Sequence, residues 1–260
     1  MLPQLLSRLR NSAPLVHNIT NYVVMNSTAN ALLALGASPV MAHAIEEVAE
    51  MTRLSAALVI NLGTLSSPWI QAMQVAGQEA QRRRIPIILD PVGAGATHFR
   101  TQTALRLIGE IGPTIIRGNA SEIGALVRDG ATTKGVDSLH SPDEIAAEAF
   151  ALSKAVGCVV SVSGPQDLIV AGDRAVRVAN GHPLMTRVTG MGCAASAITG
   201  AFAAISESPL DAAVAAMTTV GIAGEIAAET ASGPGSFQVQ FLDALYRLTD
   251  TDLTGRAKQA

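Results

Sequence analysis

A chain of 260 residues with 48% hydrophobic but only 3% aromatic side chains draws its apolar surface from Ala, Val, Ile and Leu, which suits one large α/β domain over residues 1–260. A formal net charge of −3 and a pI near 5.9 exclude the basic stripe that nucleic-acid binders use to neutralise phosphates. Cys158 and Cys193 are the only cysteines, too few for a disulfide framework or a zinc site, so a reducing, cytoplasmic setting is expected.

The opening MLPQLLSRLRNSAPL places Arg8 and Arg10 inside what would have to be the apolar core of a signal peptide, so no export signal is read. PLVHNITNYVV then clusters His17, Asn18, Asn21 and Tyr22 ahead of a helix expected over Asn21 to Leu35. Short apolar runs closed by Gly, Pro, Asn or Asp follow at Ser38 to Met41, Ala56 to Asn61, Pro86 to Asp90, Pro113 to Arg117 and Gly157 to Ser163. They read as buried parallel strands. Helix-length segments lie between them, at Ser66 to Arg84, Thr101 to Glu110 and Ser141 to Val156, and Gly130 to Pro142 reads as a loop. Such alternation predicts a mostly parallel sheet covered by helices.

Beyond Ser163 the pattern changes. Asp167 to Ala171 and Arg174 to Ala179 flank Gly172-Asp173 as a hairpin at an antiparallel edge, and three helical stretches begin at Gly192, Pro209 and Ser236. The apolar stretch Ala212 to Ala228 contains Thr218, Thr219 and Glu225, which fits a buried helix better than a lipid-facing one. No membrane segment is expected.

In open α/β sheets, ligands gather outside the carboxyl ends of the strands, so the polar residues that follow each apolar run are the candidates. In LDPVGAGATHFR, Asp90 suits a water-bridged Mg²⁺, or caps the turn at a strand end. In IIRGNASEIGAL, Asn119 and Glu122 have the spacing of a capping box. A carboxylate after a second strand also suits a metal–phosphate site shared with Asp90, with Arg117 in reach of a phosphate.

TRVTGMGCAASAITG places Gly190 and Gly192 at a loop-to-helix junction whose N–H groups can hold an anion. Its GxGxxA spacing also matches a dinucleotide fingerprint, although a helical segment rather than a strand follows. Cys193 is a buried thiol, or one whose pKa the helix N-terminus lowers toward acid/base use. The neutral donors and acceptors of His17, Asn18, Asn21 and Tyr22 suit an uncharged heterocycle or alcohol, with a structural role for His17 as the alternative. Ser163-Gly164-Pro165 lines a nucleotide pocket or is an ordinary turn. No P-loop, protein-kinase glycine loop, HExxH or GxSxG occurs, so any use of ATP runs through another architecture.

Taken together and in this order, PLVHNITN, LLALGASPVMA, INLGT, LDPVGAGA, RGNASEI, TGMGC and GPGSF resemble the hydroxyethylthiazole kinases over nearly the whole chain. The resemblance implies a ribokinase-like, three-layer α/β/α fold with a mostly parallel central sheet and an antiparallel edge. It also implies ATP with Mg²⁺, and phosphorylation of 4-methyl-5-(2-hydroxyethyl)thiazole on its hydroxyl in thiamine salvage. By matching motif, Met41 and Gly190 would contact the thiazole, and Arg117, Ser163 and Asn119 the ATP. Asp90 and Glu122 would organise the metal.

The family is similar in being trimeric with sites between subunits, so His17, Asn21 and Met41 would complete a pocket across an interface. Sugar kinases of the wider superfamily have an Asp where this chain has Cys193. That leaves Cys193 as base or as orienter of the hydroxyl, with the N–H groups of Gly190 to Cys193, Gly192 among them, stabilising the phosphoryl. Hydroxymethylpyrimidine kinases share the anion-hole segment, but PLVHNITN and ASPVMA favour the thiazole.

Overall fold

The computed structural model describes residues 4–130 and 142–259, and the loop expected between Gly130 and Pro142 lies outside them. Its sheet has eight strands: β1 (Leu15–Ile19), β2 (Ser38–Val40), β3 (Ala57–Asn61), β4 (Ile87–Asp90), β5 (Ile115–Asn119), β6 (Val159–Ser163), β7 (Asp167–Ala171) and β8 (Arg174–Val178). Their order is β2-β1-β3-β4-β5-β6-β7-β8. The first six in that order run parallel, while β7 and β8 are antiparallel. The α/β class, the parallel centre and the antiparallel edge are therefore as expected.

The central strands are buried on both faces because helices cover both. Ala57 and Val59 of β3 face one layer, while Leu58 and Ile60 face the other. The Leu58 side is covered by α3 (Val48–Leu54), α4 (Ser67–Arg83), α5 (His98–Ile111), α6 (Ala120–Gly130) and α7 (Pro142–Val156). The Val59 side is covered by α1 (Leu5–Ser12), α2 (Met25–Leu35), α8 (Met191–Ala203), α9 (Pro209–Thr230), α10 (Pro234–Arg247) and α11 (Asp250–Arg256). α9 is long and apolar enough to cross a membrane, but 83% of its apolar window is buried, packed against α8 and α10. It is a core helix.

α8 lies unusually close to the sheet, since a Cβ at Gly200 would sit 2.6 Å from Val59 Cγ2. That approach brings the start of α8 over the carboxyl ends of the strands. The chain also reverses its direction of travel across the sheet at β1, which lies between β2 and β3.

Three differences from the sequence reading have local causes. β1 was not expected, because His17 and Asn18 interrupt its apolar run; both are buried, His17 against Thr52 of α3 and the Ala42 carbonyl, with Asn18 Nδ2 donating to Val16 O of its own strand. The first long helix starts at Met25 rather than at Asn21, because the Asn21 side chain accepts from the Val23 N–H and holds a turn. The short helices α1, α3 and α11 carry too few turns for a periodic signal.

Candidate active site

Asn61, Asp90, Asn119 and Ser163 close β3, β4, β5 and β6 on the same edge of the sheet, and the start of α8 stands above them. Between them is a cavity of about 710 Å³ lined by Asp90, Arg117, Asn119, Glu122, Ser163, Gly190, Gly192 and Cys193 among the expected residues. Its volume is in the range of small-molecule sites.

At its floor lies a polar network that joins four elements. Asn61 Nδ2 donates to Asp90 Oδ2 at 2.8 Å and to Cys193 Sγ at 3.2 Å. Asn61 Oδ1 accepts from Asn21 Nδ2 at 2.8 Å and from the Gly63 N–H at 3.0 Å. Ser196, one turn along α8 from Gly192, donates its hydroxyl to Asp90 Oδ2 at 2.7 Å. Both donors go to the same Asp90 oxygen, and no donor among the described residues reaches Oδ1. Asp90 makes no side-chain bond to its own turn, so the turn-capping alternative does not apply to it.

Burial raises the Asp90 carboxyl to about 6, with Glu122's charge adding to that effect, while Arg117, Ser196 and Asn61 oppose it.

Gly190 has a φ of +83° and a Cβ there would lie 2.7 Å from Val24 Cγ1, so this turn into α8 requires glycine. The first N–H groups of a helix have no partners within it, and here they meet a guanidinium. A Cβ at Gly192 would stand 2.8 Å from Arg117 Nη1. Arg117 is 7% exposed, its Nε has no hydrogen-bond partner, and it forms no ion pair among the described residues. A buried, unpartnered guanidinium under a helix start has the chemistry to receive an anion.

Of the two alternatives for Cys193, the structure favours the buried thiol. Burial pushes its thiol up to about 11, with the neighbouring Asp90 charge adding to that and Asn61, Asn21 and Arg117 opposing it. The helix N-terminus does not win against desolvation, and at neutral pH the group is a thiol rather than a thiolate.

Asn119 and Glu122 do form the capping box: the Asn119 N–H donates to Glu122 Oε2 and the Glu122 N–H to Asn119 Oδ1, both at 2.9 Å. Glu122 Oε1 also accepts from the Gly93 N–H at 2.9 Å, which ties the turn after β4 to the start of α6. Each oxygen keeps a lone pair. Mg²⁺ typically takes one or two carboxylates and fills its shell with water and phosphate. Asp90 with its open Oδ1 and Glu122 fit that demand, and among the described residues no cluster of three His, Cys, Asp or Glu would form a closed metal cage.

Ser163 donates its hydroxyl to Gly118 O at 3.3 Å. Beside it, Asp167 accepts from the Gly164 N–H at 3.0 Å. Burial raises Asp167 to about 6, against the Gly164 bond and Arg117. Sequence reasoning placed Asp167 in a hairpin strand and missed its place on the cavity wall. It also missed Asn61 and Ser196. Asn61 had the same polar-after-apolar signal as Asp90, whereas Ser196 lies inside a small-residue helix and has none.

Two expected residues lie elsewhere. His17 is fully buried, with Nδ1 3.0 Å from Thr52 Oγ1 and Nε2 2.8 Å from Ala42 O. Both ring nitrogens are thus engaged within the chain, as the structural alternative for His17 has it, and the ring holds the peptide next to Met41. Met41 is half-buried and off the cavity. Near it Tyr22, His43 and Trp69 form an aromatic cluster with centroids 4.5 to 6.5 Å apart. Asn21 stands behind Cys193, 3.5 Å from its sulfur.

Residues 6–251 match the hydroxyethylthiazole kinase family. The chain is 58% identical over 252 residues to a hydroxyethylthiazole kinase of Syntrophus aciditrophicus, covering 96% of this chain and 93% of the relative. It is 56% identical over 246 residues to one of Oleidesulfovibrio alaskensis, covering 95% and 92%. The solved hydroxyethylthiazole kinase protein from Pyrococcus horikoshii superposes with a TM-score of 0.93 at 46% identity, covering 100% of this chain and 98% of that one. The pyridoxal kinase of Staphylococcus aureus, in complex with AMP-PCP, gives 0.61 at 16% identity over 82% and 88%, a likeness of fold.

Proposed function

The chain belongs to the hydroxyethylthiazole kinase family, and on that premise we propose that its cavity is where the γ-phosphoryl of ATP passes to the hydroxyl of 4-methyl-5-(2-hydroxyethyl)thiazole, in thiamine salvage. The observation that carries this reading is the unpartnered Arg117 guanidinium beneath the start of α8, beside the buried Asp90. Burying an unpartnered guanidinium and a carboxylate with one open oxygen costs free energy that a ligand can offset.

Arg117, Ser163 and Asn119 bind ATP in this reading, with Arg117 directed at its phosphates. The N–H groups from Gly190 through Gly192 to Cys193 stabilise the transferring phosphoryl, and preorganised donors of this kind are worth about 10²–10³ in rate each. Asp90 and Glu122 would hold Mg²⁺, which supplies charge neutralisation when bound. Cys193, as a neutral thiol held by Asn61 and Asn21, orients the acceptor hydroxyl. A strong base is not required, because a loose phosphoryl-transfer transition state makes small demands on deprotonation.

Gly190 and Asn21 lie on the thiazole side, and His17 acts there only through the Met41 segment. Met41 is off the cavity of its own chain, in a segment whose His43 packs edge-on against the exposed Tyr22. That placement supports a homotrimer in which a neighbouring copy brings Met41 to the site. One domain in a cytoplasmic setting completes the proposal.

The test is Mg²⁺-dependent ADP release with hydroxyethylthiazole and hydroxymethylpyrimidine side by side, with the product identified by mass. Turnover on the thiazole alone supports the assignment. A preference for the pyrimidine overturns the substrate, and silence with both overturns the reaction.

A further inference from the structure

One wall of the cavity is a loop, residues 180–186, in which none of Pro183–Arg187 is fully buried, although Leu184 and Met185 pack in part against the core. It is held by these apolar contacts, by hydrogen bonds and by two glycines that let it approach α9. Glu225 Oε1, on α9, accepts from the Gly181 N–H at 3.0 Å, Asn180 Nδ2 at 3.1 Å and Lys258 Nζ at 2.9 Å.

Segment 256–259 closes the same knot from the other side. Asn180 Nδ2 also donates to Arg256 O at 2.9 Å, and Asn180 Oδ1 accepts from the Lys258 N–H at 2.8 Å. The Ala179 N–H donates to Lys258 O at 2.8 Å. Gln259 Nε2 then pins the segment to α9 through Thr218 Oγ1 at 3.0 Å. A Cβ at Gly221 would stand 2.6 Å from Asn180 Cβ, and one at Gly224 would stand 2.6 Å from Met185 Sδ. Gly221, Gly224 and Glu225 share one face of α9, so this face is shaped to seat the loop.

The loop follows β8, whose Val178 pairs with Asp167 just after residues 163–165, whereas Asn61 closes β3 on the far side of β4 to β7 in the sheet. Met185 of the loop and Met217 and Val220 of α9 line the cavity there, and apolar side chains of this kind are what a purine ring packs against.

We propose that Glu225 is a positioning residue for the nucleotide: together with segment 256–259 it clamps loop 180–186 onto α9 and so sets the wall against which the base of ATP packs. The proposal rests on the reading that ATP occupies the Arg117 and Ser163 end of the cavity.

The test is steady-state kinetics with both substrates varied, together with calorimetric titration of ATP in the absence of thiazole. Glu225→Ala should raise the KM and the Kd for ATP about tenfold, as expected for losing hydrogen bonds to a charged group. The thiazole KM and the kcat at saturating ATP should stay within about twofold. Glu225→Gln keeps a carbonyl oxygen for Gly181 and Asn180, and should restore most of the ATP affinity. Gly224→Ala, which displaces Met185 without touching the polar knot, provides a second variant should Glu225→Ala unfold, and should also weaken ATP alone. Unchanged ATP affinity in both alanine variants overturns the clamp, as does a parallel rise in both KM values. A wild-type protein that binds ATP but forms no ADP would overturn the kinase reading, while the titrations would still decide the clamp.

Discussion

Replacing Asp167 by Asn should stabilise the protein above pH 6 and leave its stability unchanged below pH 4. Asp167 is 7% exposed at the start of β7, and burial raises its carboxyl from the usual 3.8 to about 6, net of the opposing Gly164 bond and Arg117. Between those two values the folded protein holds a proton that the unfolded chain has released. Stability therefore falls as pH rises through that window, and the loss is complete above it.

Two pH units correspond to about 3 kcal/mol, an order-of-magnitude figure. Asn keeps the carbonyl oxygen that accepts from the Gly164 N–H, so no backbone donor is orphaned. Asp90 also titrates near 6, but in both proteins, so its contribution cancels in the difference. Thermal melts of both proteins from pH 4 to pH 8 at one protomer concentration should coincide at the acid end and separate by roughly 6 °C at the alkaline end. A variant less stable at pH 8, or a gap that does not depend on pH, would refute the reasoning.

Asn61→Leu removes the donor to Asp90 and Cys193 and the acceptor for Asn21 and Gly63; kcat should fall about 100-fold and stability by about 1–3 kcal/mol, read by kinetics and urea unfolding. Arg117→Lys keeps the charge but not the planar fork beneath α8, and should raise the ATP KM about tenfold or more; an unchanged KM would count against Arg117 as a phosphate ligand. Alkylation of Cys193 by iodoacetamide, followed by mass, should be far slower at pH 7.5 than that of a free thiol and speed up toward pH 11, since its pKa is near 11. Gly200→Ala places a Cβ 2.6 Å from Val59 Cγ2 and should cost about 1–3 kcal/mol by overpacking, visible as a lower urea midpoint with the slope unchanged.

Much of the architecture was readable because its causes are local. Runs such as Ala57–Asn61 and Ile87–Asp90 are apolar on both faces until the polar residue that closes them, as suits a doubly covered parallel strand. Asn119 and Glu122 are three residues apart and form their capping box within one turn. The rule that ligands lie past the carboxyl ends of strands located Asp90, Asn119 and Ser163 before any coordinates did. Order along the chain and the identity of strand-end residues were enough for these.

What tertiary structure alone decided depends on residues distant in sequence. β1 escaped notice because its polar residues are acceptable only where Thr52 and Ala42 satisfy His17. Asp167 is a wall residue because β7 pairs beside β6, close to Arg117. Loop 180–186 has its position because α9 and segment 256–259 meet there. The sign of the Cys193 shift could not be read from its place at a helix start, because burial and the Asp90 charge, both products of packing, outweigh the helix terminus. Local pattern determines which groups stand at the rim; the dielectric and the charges around them arise only when remote segments are packed together.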